Sequence, residues 1–175
     1  SLKFIDVTLR DGGLKNNFNW PTAYAVEHYR LGLSNPDVLY VELGYWKQKI
    51  KYLSPFFSID ESFLEVITSC KNDKAAVMID YHYCSKSLDD YPRVSDAGSP
   101  SLYRMTCRRR DVDSALSFAM ALKRATGAKV SLNFSNASNL TNDEIIGFCE
   151  KAASAGLDYV YLADSHGSLD LAGRS

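Results

Sequence analysis

The sequence predicts an α/β fold of the TIM (β/α)8-barrel type, incomplete, with about six of the eight strand–helix units present. Three observations point there. Short apolar runs alternate with amphipathic helical patterns, as expected of βαβ units and a parallel sheet. Each run breaks into polar residues at its carboxyl end, where the side chains of a barrel converge on one mouth. Neither G-x-G-x-x-G nor G-x-x-x-x-G-K-[ST] follows the first run, so the competing doubly wound nucleotide-binding sheet lacks its phosphate loop. Length alone favours that open sheet, because 175 residues fall short of the roughly 250 of a typical barrel. The strand ends favour the barrel. No linker divides the chain, which reads as a single domain over 1–175 lacking the last two units.

Each element has its own warrant. The first run, "KFIDVTL", is expected to be a strand that gives way to a loop at Arg10-Asp11-Gly12-Gly13. Pro21 marks the first turn of a helix over "TAYAVEHYRLGL". "VLYVELG" is the second strand, and the link "YWKQKIKYLSPFF" has no clear assignment. Ser58, with Glu61 three residues on, forms a capping box that opens "ESFLEVITSC". "AAVMIDYHY" is the third strand; "CSKSLDDYPRVSDAGSP" after it is too rich in Pro, Gly, Ser and Asp for a helix. "SLYRMTC" is the fourth strand, and Asp111 or Asp113 caps "SALSFAMALKRATG", which Gly127 ends. "KVSLNFS" is the fifth. Thr141 and Glu144 form a second capping box for "NDEIIGFCEKAASAG", with Gly156 as its left-handed stop, and "DYVYLAD" is the sixth strand. Several strands are apolar on both faces, as parallel strands covered on both sides are.

Bulk composition narrows the function classes. Hydrophobic residues make up 46% and charged residues 23%, ordinary values for a globular protein. A net charge of −1 gives no reason to expect nucleic acid or an anionic membrane as partner. No apolar run approaches the roughly 20 residues of a membrane helix, and no signal-peptide pattern opens the chain, so a cytoplasmic protein is expected. Cys70, Cys84, Cys107 and Cys149 form no C-x-x-C pair and read as reduced thiols.

The strand ends carry the chemistry: Arg10 and Asp11, then Glu42 and Gly44, Asp80 with His82 and Cys84, Arg104 and Thr106, Asn133 and Ser135, and Asp164 with Ser165 and His166. Carboxylates and imidazoles from separate strands suit a divalent cation, Mn2+ or Mg2+ first and Zn2+ as a further option. Such an ion polarises the carbonyl of a 2-oxo acid, and a neighbouring arginine stabilises the enolate formed when a carbon–carbon bond breaks. Asp11 would then hold the metal and Arg10 the developing charge.

These residues also resemble a known family. "DVTLRDGG" looks like the first-strand signature of the DRE-TIM metallolyases, the HMGL-like group that includes 4-hydroxy-2-oxovalerate aldolase. "TLRDGG" followed by "NNFNW" is most similar to the bacterial aldolase-like proteins of that group. "VELGY" and "YLADSHGSL" fall where the family carries E-x-G and D-S/T-x-G. The resemblance implies a divalent-metal-dependent aldolase or lyase acting on a small 2-oxo acid. It makes Arg10 the catalytic arginine and Asp11 the metal ligand, and places Glu42 and Asp164 at the barrel mouth; with the strand-end positions, Glu42 joins Arg10 as a catalytic candidate, and Asp164, His82 and Asn133 are the candidate substrate contacts. Two departures stand beside it. The family's His-x-His ligands belong to a seventh strand, whereas this sequence stops at Ser175, and Leu14 occupies the place of a catalytic His or Gln. A degenerate barrel that binds a ligand or partner without catalysis is therefore the alternative reading, and an acyl-CoA-condensing synthase a third.

Structural roles compete at each position. Arg10 and Asp11 would suit a simple ion pair, Asp6 an interior hydrogen-bonded carboxylate, and His28 a packing role. His82 with Cys84 would suit either a thiol-containing metal site or a hydrogen-bonded strand histidine, and His166 a solvated loop. The run Cys107-Arg108-Arg109-Arg110 would suit a phosphate or carboxylate, or a solvated loop paired with Asp111 and Asp113. Open sheet edges would call for a homo-oligomer or a partner chain.

Overall fold

Six parallel strands are hydrogen-bonded in sequence order in a computed structural model that describes residues 2–48, 54–69, 71–135 and 137–163. They are β1 (Phe4–Asp6), β2 (Val38–Tyr45), β3 (Ala75–Asp80), β4 (Leu102–Cys107), β5 (Lys129–Ser135) and β6 (Tyr159–Ala163). The helices between them are α1 (Thr8–Asn16), α2 (Thr22–Ser34), α3 (Glu61–Thr68), α4 (Val112–Thr126) and α5 (Asn142–Ala155). Every strand pairs with its sequence neighbour, so the order never reverses as it does at the switch point of a doubly wound sheet. The architecture is an incomplete barrel of the (β/α)8 type.

The two faces of the sheet are sorted by the period-two alternation of the strands. One face turns Val41, Leu43, Val77, Ile79, Tyr103, Met105, Val130, Leu132 and Phe134 into the main core. There they meet Ala25 and Tyr29 of α2, Leu64 and Ile67 of α3, Ala115, Ala119 and Leu122 of α4, and Phe148 of α5. The opposite face begins at the amino ends of the strands with a small apolar layer of Tyr40, Ala76 and Leu102, flanked by Ile5 and Tyr159. Two residues further along the same faces, Tyr40 gives way to Glu42 and Leu102 to Arg104, and β5 contributes Ser131 and Asn133, all buried. Register places Met78, Arg104 and Ser131 side by side, and Asp80, Thr106, Asn133 and Tyr161 in the next row. Polar groups therefore collect in the carboxyl half of the inner face.

Several local expectations are corrected. The first strand ends at Asp6, and Arg10-Asp11-Gly12-Gly13 lies within α1 rather than in a loop. The Asp6 carboxylate accepts from the Thr8 N–H at 2.9 Å, turning the chain into that helix one residue after the strand. Pro21 is the residue before α2, not within its first turn. Asp60, not Ser58, caps α3, accepting from the Phe63 N–H at 2.9 Å. Asp111 precedes α4 without a side-chain cap bond, whereas the Thr141–Glu144 capping box is present and Gly127 and Gly156 end their helices in left-handed conformation. β3 stops at Asp80, so "YHY" is a turn rather than strand. The two unassigned stretches contribute short 3-10 turns at Pro55–Phe57 and Leu88–Asp90.

Candidate active site

Two segments fix the mouth of the sheet. α1 is anchored through Leu9, whose carbonyl accepts from Trp20 Nε1 at 2.9 Å, and through Phe18, fully buried against Tyr45 and Phe57. Gly13 makes this closure possible: a Cβ there would sit 2.4 Å from the Phe18 ring. On β2, Gly44 lets the chain at Phe56 pass directly over the strand, since a Cβ would fall 2.0 Å from the Phe56 carbonyl oxygen. Arg10 is thereby held beside the carboxyl end of β2.

The centre of the arrangement is Glu42, fully buried. Its Oε1 accepts from Arg10 Nε, and its Oε2 accepts from Arg104 Nη1 at 2.6 Å, reaching across β3 to β4. Arg10 Nη1 also donates to Asp11 Oδ1 at 2.8 Å, and the Asp11 side chain is 61% exposed. Arg104 is 8% exposed, its guanidinium carbon lies 4.9 Å from the centre of the Tyr161 ring, and its Nε has no hydrogen-bond partner among the described residues. Burial pulls the Arg10 guanidinium downward, but the charge and hydrogen bond of Glu42 outweigh it and leave Arg10 above its ordinary value. Burial raises the Tyr45 phenol, opposed by the Arg10 charge.

These groups open onto a cavity of about 550 Å³ lined by Arg10, Asp11, Leu14, Tyr45, Met78, Arg104, Thr106, Asn133, Ser135 and Ala163. The structure thus brings together three of the sequence-predicted residues on the cavity wall, Arg10, Asp11 and Asn133, with Glu42 behind them. Asn133 Oδ1 accepts from Ser131 Oγ at 3.0 Å, which fixes the amide against the inner face. Arg104 is among the polar residues expected at the strand ends, and its ion pair with Glu42 across β3 is the relation that the sequence does not show.

Two candidates stand apart. His82 is exposed in the turn after β3, its N–H bound to Asp80 Oδ1 at 2.9 Å and its ring edge-on to Tyr83. The strand ends before it, and neither His82 nor Cys84 is on the described wall of this cavity. Asp164, together with Ser165 and His166, lies outside the described residues. His28 Nε2 lies 2.9 Å from Asp6 Oδ2, away from the mouth and out of line for a hydrogen bond.

The expected divalent ion does not fit the described residues alone. No group of three His, Cys, Asp or Glu side chains among them could hold a metal ion. Asp11 is the single carboxylate on the described cavity wall, and Arg10 already occupies one of its oxygens. Such an ion would draw its other acidic or imidazole ligands from outside the described residues.

Fold and mouth together define a barrel-type scaffold with a hydrogen-bonding pocket of paired charges at the carboxyl ends of its strands. No protein-family model matches the chain, and no curated protein matches it. Among solved structures, it is similar to the "N-terminal domain of a putative aldolase from Bacteroides vulgatus", at 20% identity and a TM-score of 0.63 over 92% of this chain and 62% of that one. It is also similar to 2,3-dimethylmalate lyase, described as a PEP mutase/isocitrate lyase superfamily member, at 13% identity and a TM-score of 0.48 over 79% of this chain and 61% of that one. The chain therefore spans less than two thirds of each. At such identity the Bacteroides domain speaks for the fold. The expected membership of the DRE-TIM metallolyases is corrected: neither neighbour is described as belonging to that group, and no family model supports it. Among the described residues, no helix is long and apolar enough to cross a membrane.

Proposed function

We propose that the mouth is the site of an aldolase-type carbon–carbon lyase acting on a small 2-oxo acid. The observation that carries this reading is the Arg10–Glu42–Arg104 array: two guanidinium groups, oriented by one buried carboxylate, on the wall of a cavity of about 550 Å³. Guanidinium groups present fork-like donors that match a carboxylate. The buried Arg104 Nε–H, without a partner among the described residues, is a donor available to an anionic ligand.

In aldol cleavage the hydroxyl proton passes to water at the open mouth, its oxygen becomes the carbonyl of the departing aldehyde, and the electron pair of the broken carbon–carbon bond moves onto the oxo-acid fragment as an enolate. Negative charge then grows on the former carbonyl oxygen. Arg10, held rigidly by Glu42, is placed to stabilise that charge without reorganisation, and Arg104 to hold the carboxylate. Thr106, Asn133 and Ser135 supply neutral hydrogen-bonding groups on the same wall. The fold likeness to the Bacteroides domain supports the aldolase class as a prior, and the array supports the anionic substrate.

A half-reaction tests this without knowledge of the aldehyde. Pyruvate incubated with the protein in heavy water is expected to lose its methyl protons faster than the uncatalysed control, read by proton NMR, and Arg10→Ala is expected to abolish the excess. Pyruvate-induced shifts in the protein spectrum without exchange would instead support the binding-module reading.

A further inference from the structure

The basic run after β4 is not used by the central mouth, and its three arginines have separate fates. Arg109 is held by Glu144, whose Oε2 accepts from the Thr141 N–H at 2.9 Å and from its hydroxyl at 3.2 Å. That carboxylate ties the β4–α4 connection to the first turn of α5. Arg110 Nε lies 3.9 Å from Asp111 Oδ2. Asp113, expected to pair with the run, is bound instead by Lys151 at 2.9 Å. Arg108 has no carboxylate partner among the described residues.

Arg108 and Arg109 line a second cavity of about 200 Å³ with Ser135, Asn139 and Leu140. No carboxylate is among these lining residues. Ser135, the last residue of β5, also lines the central mouth, so the two cavities share a wall. Among the described residues, its hydroxyl makes a long contact, 3.4 Å, to the Cys107 carbonyl. A guanidinium without a carboxylate, a weakly engaged hydroxyl and a side-chain amide form a donor set for an oxyanion. A ligand held at one end by Arg10 and Arg104 would reach this set by crossing Ser135.

We propose that the second cavity is a subsite for a phosphate or carboxylate at the far end of an elongated substrate whose 2-oxo acid head occupies the mouth. This rests on the reading of the mouth given above. The substrate class is then a doubly anionic oxo acid rather than a short monoanion. Arg108 is the specificity-determining residue, and Arg109 is a wall residue fixed by Glu144.

Titration calorimetry on the full chain tests it with two kinds of probe. Inorganic phosphate reports the subsite alone. 2-Oxobutyrate, 2-oxoglutarate, 2-oxoadipate and 2-oxo-4-phosphonobutyrate share a head and differ at the tail. The parent is expected to bind at least one of the tailed acids about tenfold or more tighter than 2-oxobutyrate, the scale of one charge-assisted hydrogen bond. The preferred tail tells carboxylate from phosphate. Arg108→Ala is expected to erase that gain and phosphate binding while leaving 2-oxobutyrate unchanged, whereas Arg10→Ala weakens all of the oxo acids. Equal affinity for all four acids in the parent, or a gain that survives Arg108→Ala, overturns the proposal. Phosphate binding that depends on Arg108, with no oxo acid binding at all, upholds the subsite and refutes the reading of the mouth.

Discussion

Replacing Glu42 by Gln keeps the shape of the side chain and removes its charge. Because volume is conserved, the cavity penalty of a truncation is absent and the effect is electrostatic. Two guanidinium groups lose this anion: Arg10, whose side chain is 14% exposed and keeps Asp11 and access to water, and Arg104, at 9%, which has little access to either. Breaking a buried pair by removing one partner costs about 3–5 kcal/mol, and the partial hydration open to Arg10 places Glu42→Gln near the lower bound, about 3 kcal/mol. For a chain of this size about 1 kcal/mol moves the melting temperature by roughly 2–4 °C, so a fall of about 6–12 °C is expected in a circular-dichroism melt at neutral pH. The double variant Glu42→Met/Arg104→Met removes the deepest stranded charge with its partner. It is expected to be less destabilised than the sum of the two single changes by more than about 1 kcal/mol. A Glu42→Gln melt within about 2 °C of the parent, or strictly additive Met variants, would refute the idea that one carboxylate holds both cations.

Three further outcomes are expected. Gly44→Ala puts a methyl group 2.0 Å from a backbone carbonyl that cannot swing aside, so a loss of at least about 2 kcal/mol should be seen in urea unfolding; a neutral result would mean that the chain at Phe56 yields easily. Burial above all raises the Tyr29, Tyr91 and Tyr103 phenols, and it raises the Cys107 thiol from 9.0 to about 12. The folded chain then keeps protons that the unfolded chain releases, so stability should be level below about pH 9 and fall as pH rises from there towards 12, by up to about 1.4 kcal/mol per pH unit for each group. Urea midpoints that stay level through pH 11 would contradict this, whereas Tyr103→Phe, which removes a buried hydroxyl without a partner among the described residues, should soften the decline. Finally, β1 and β6 each pair on one side only among the described residues, so the 175-residue chain should self-associate in light scattering after size exclusion; a stable monomer would count against it.

The sequence made β2, β4 and β5 plain, because short runs rich in β-branched, aromatic and other apolar residues, bounded by helical patterns, leave little choice of element. α1 was hidden. Two adjacent glycines argue against a helix by propensity, and the helix exists because Asp6 captures the Thr8 N–H and Phe18 packs over Gly13, a contact no local pattern contains. The cap of α3 was misplaced by two residues, since Ser58-x-x-Glu61 satisfies the capping-box rule while Asp60 makes the bond. At the mouth, Glu42 and Asn133 were readable from their strands, whereas Arg10 and Asp11, expected where β1 gives way to a loop, reach the cavity from α1. His82 was expected on the strand, because the turn that takes it off depends on Asp80 binding its N–H. Arg104 was overlooked as a partner of Glu42 because the bond crosses an intervening strand, a relation that exists only once the sheet has curled.

The bond from Glu42 to both arginines also bears on how such a chain can change over generations. The partners stand 32 and 62 positions away along the sequence, so no local stretch of the gene holds them together. Losing Glu42 first strands Arg104 in the folded protein, whereas losing either arginine leaves one ion pair in place, so only the intermediate without the carboxylate is poorly tolerated. Descendants should therefore keep Glu42 for as long as Arg104 is present, and a lineage that gives up the carboxylate should already have replaced Arg104 with something apolar.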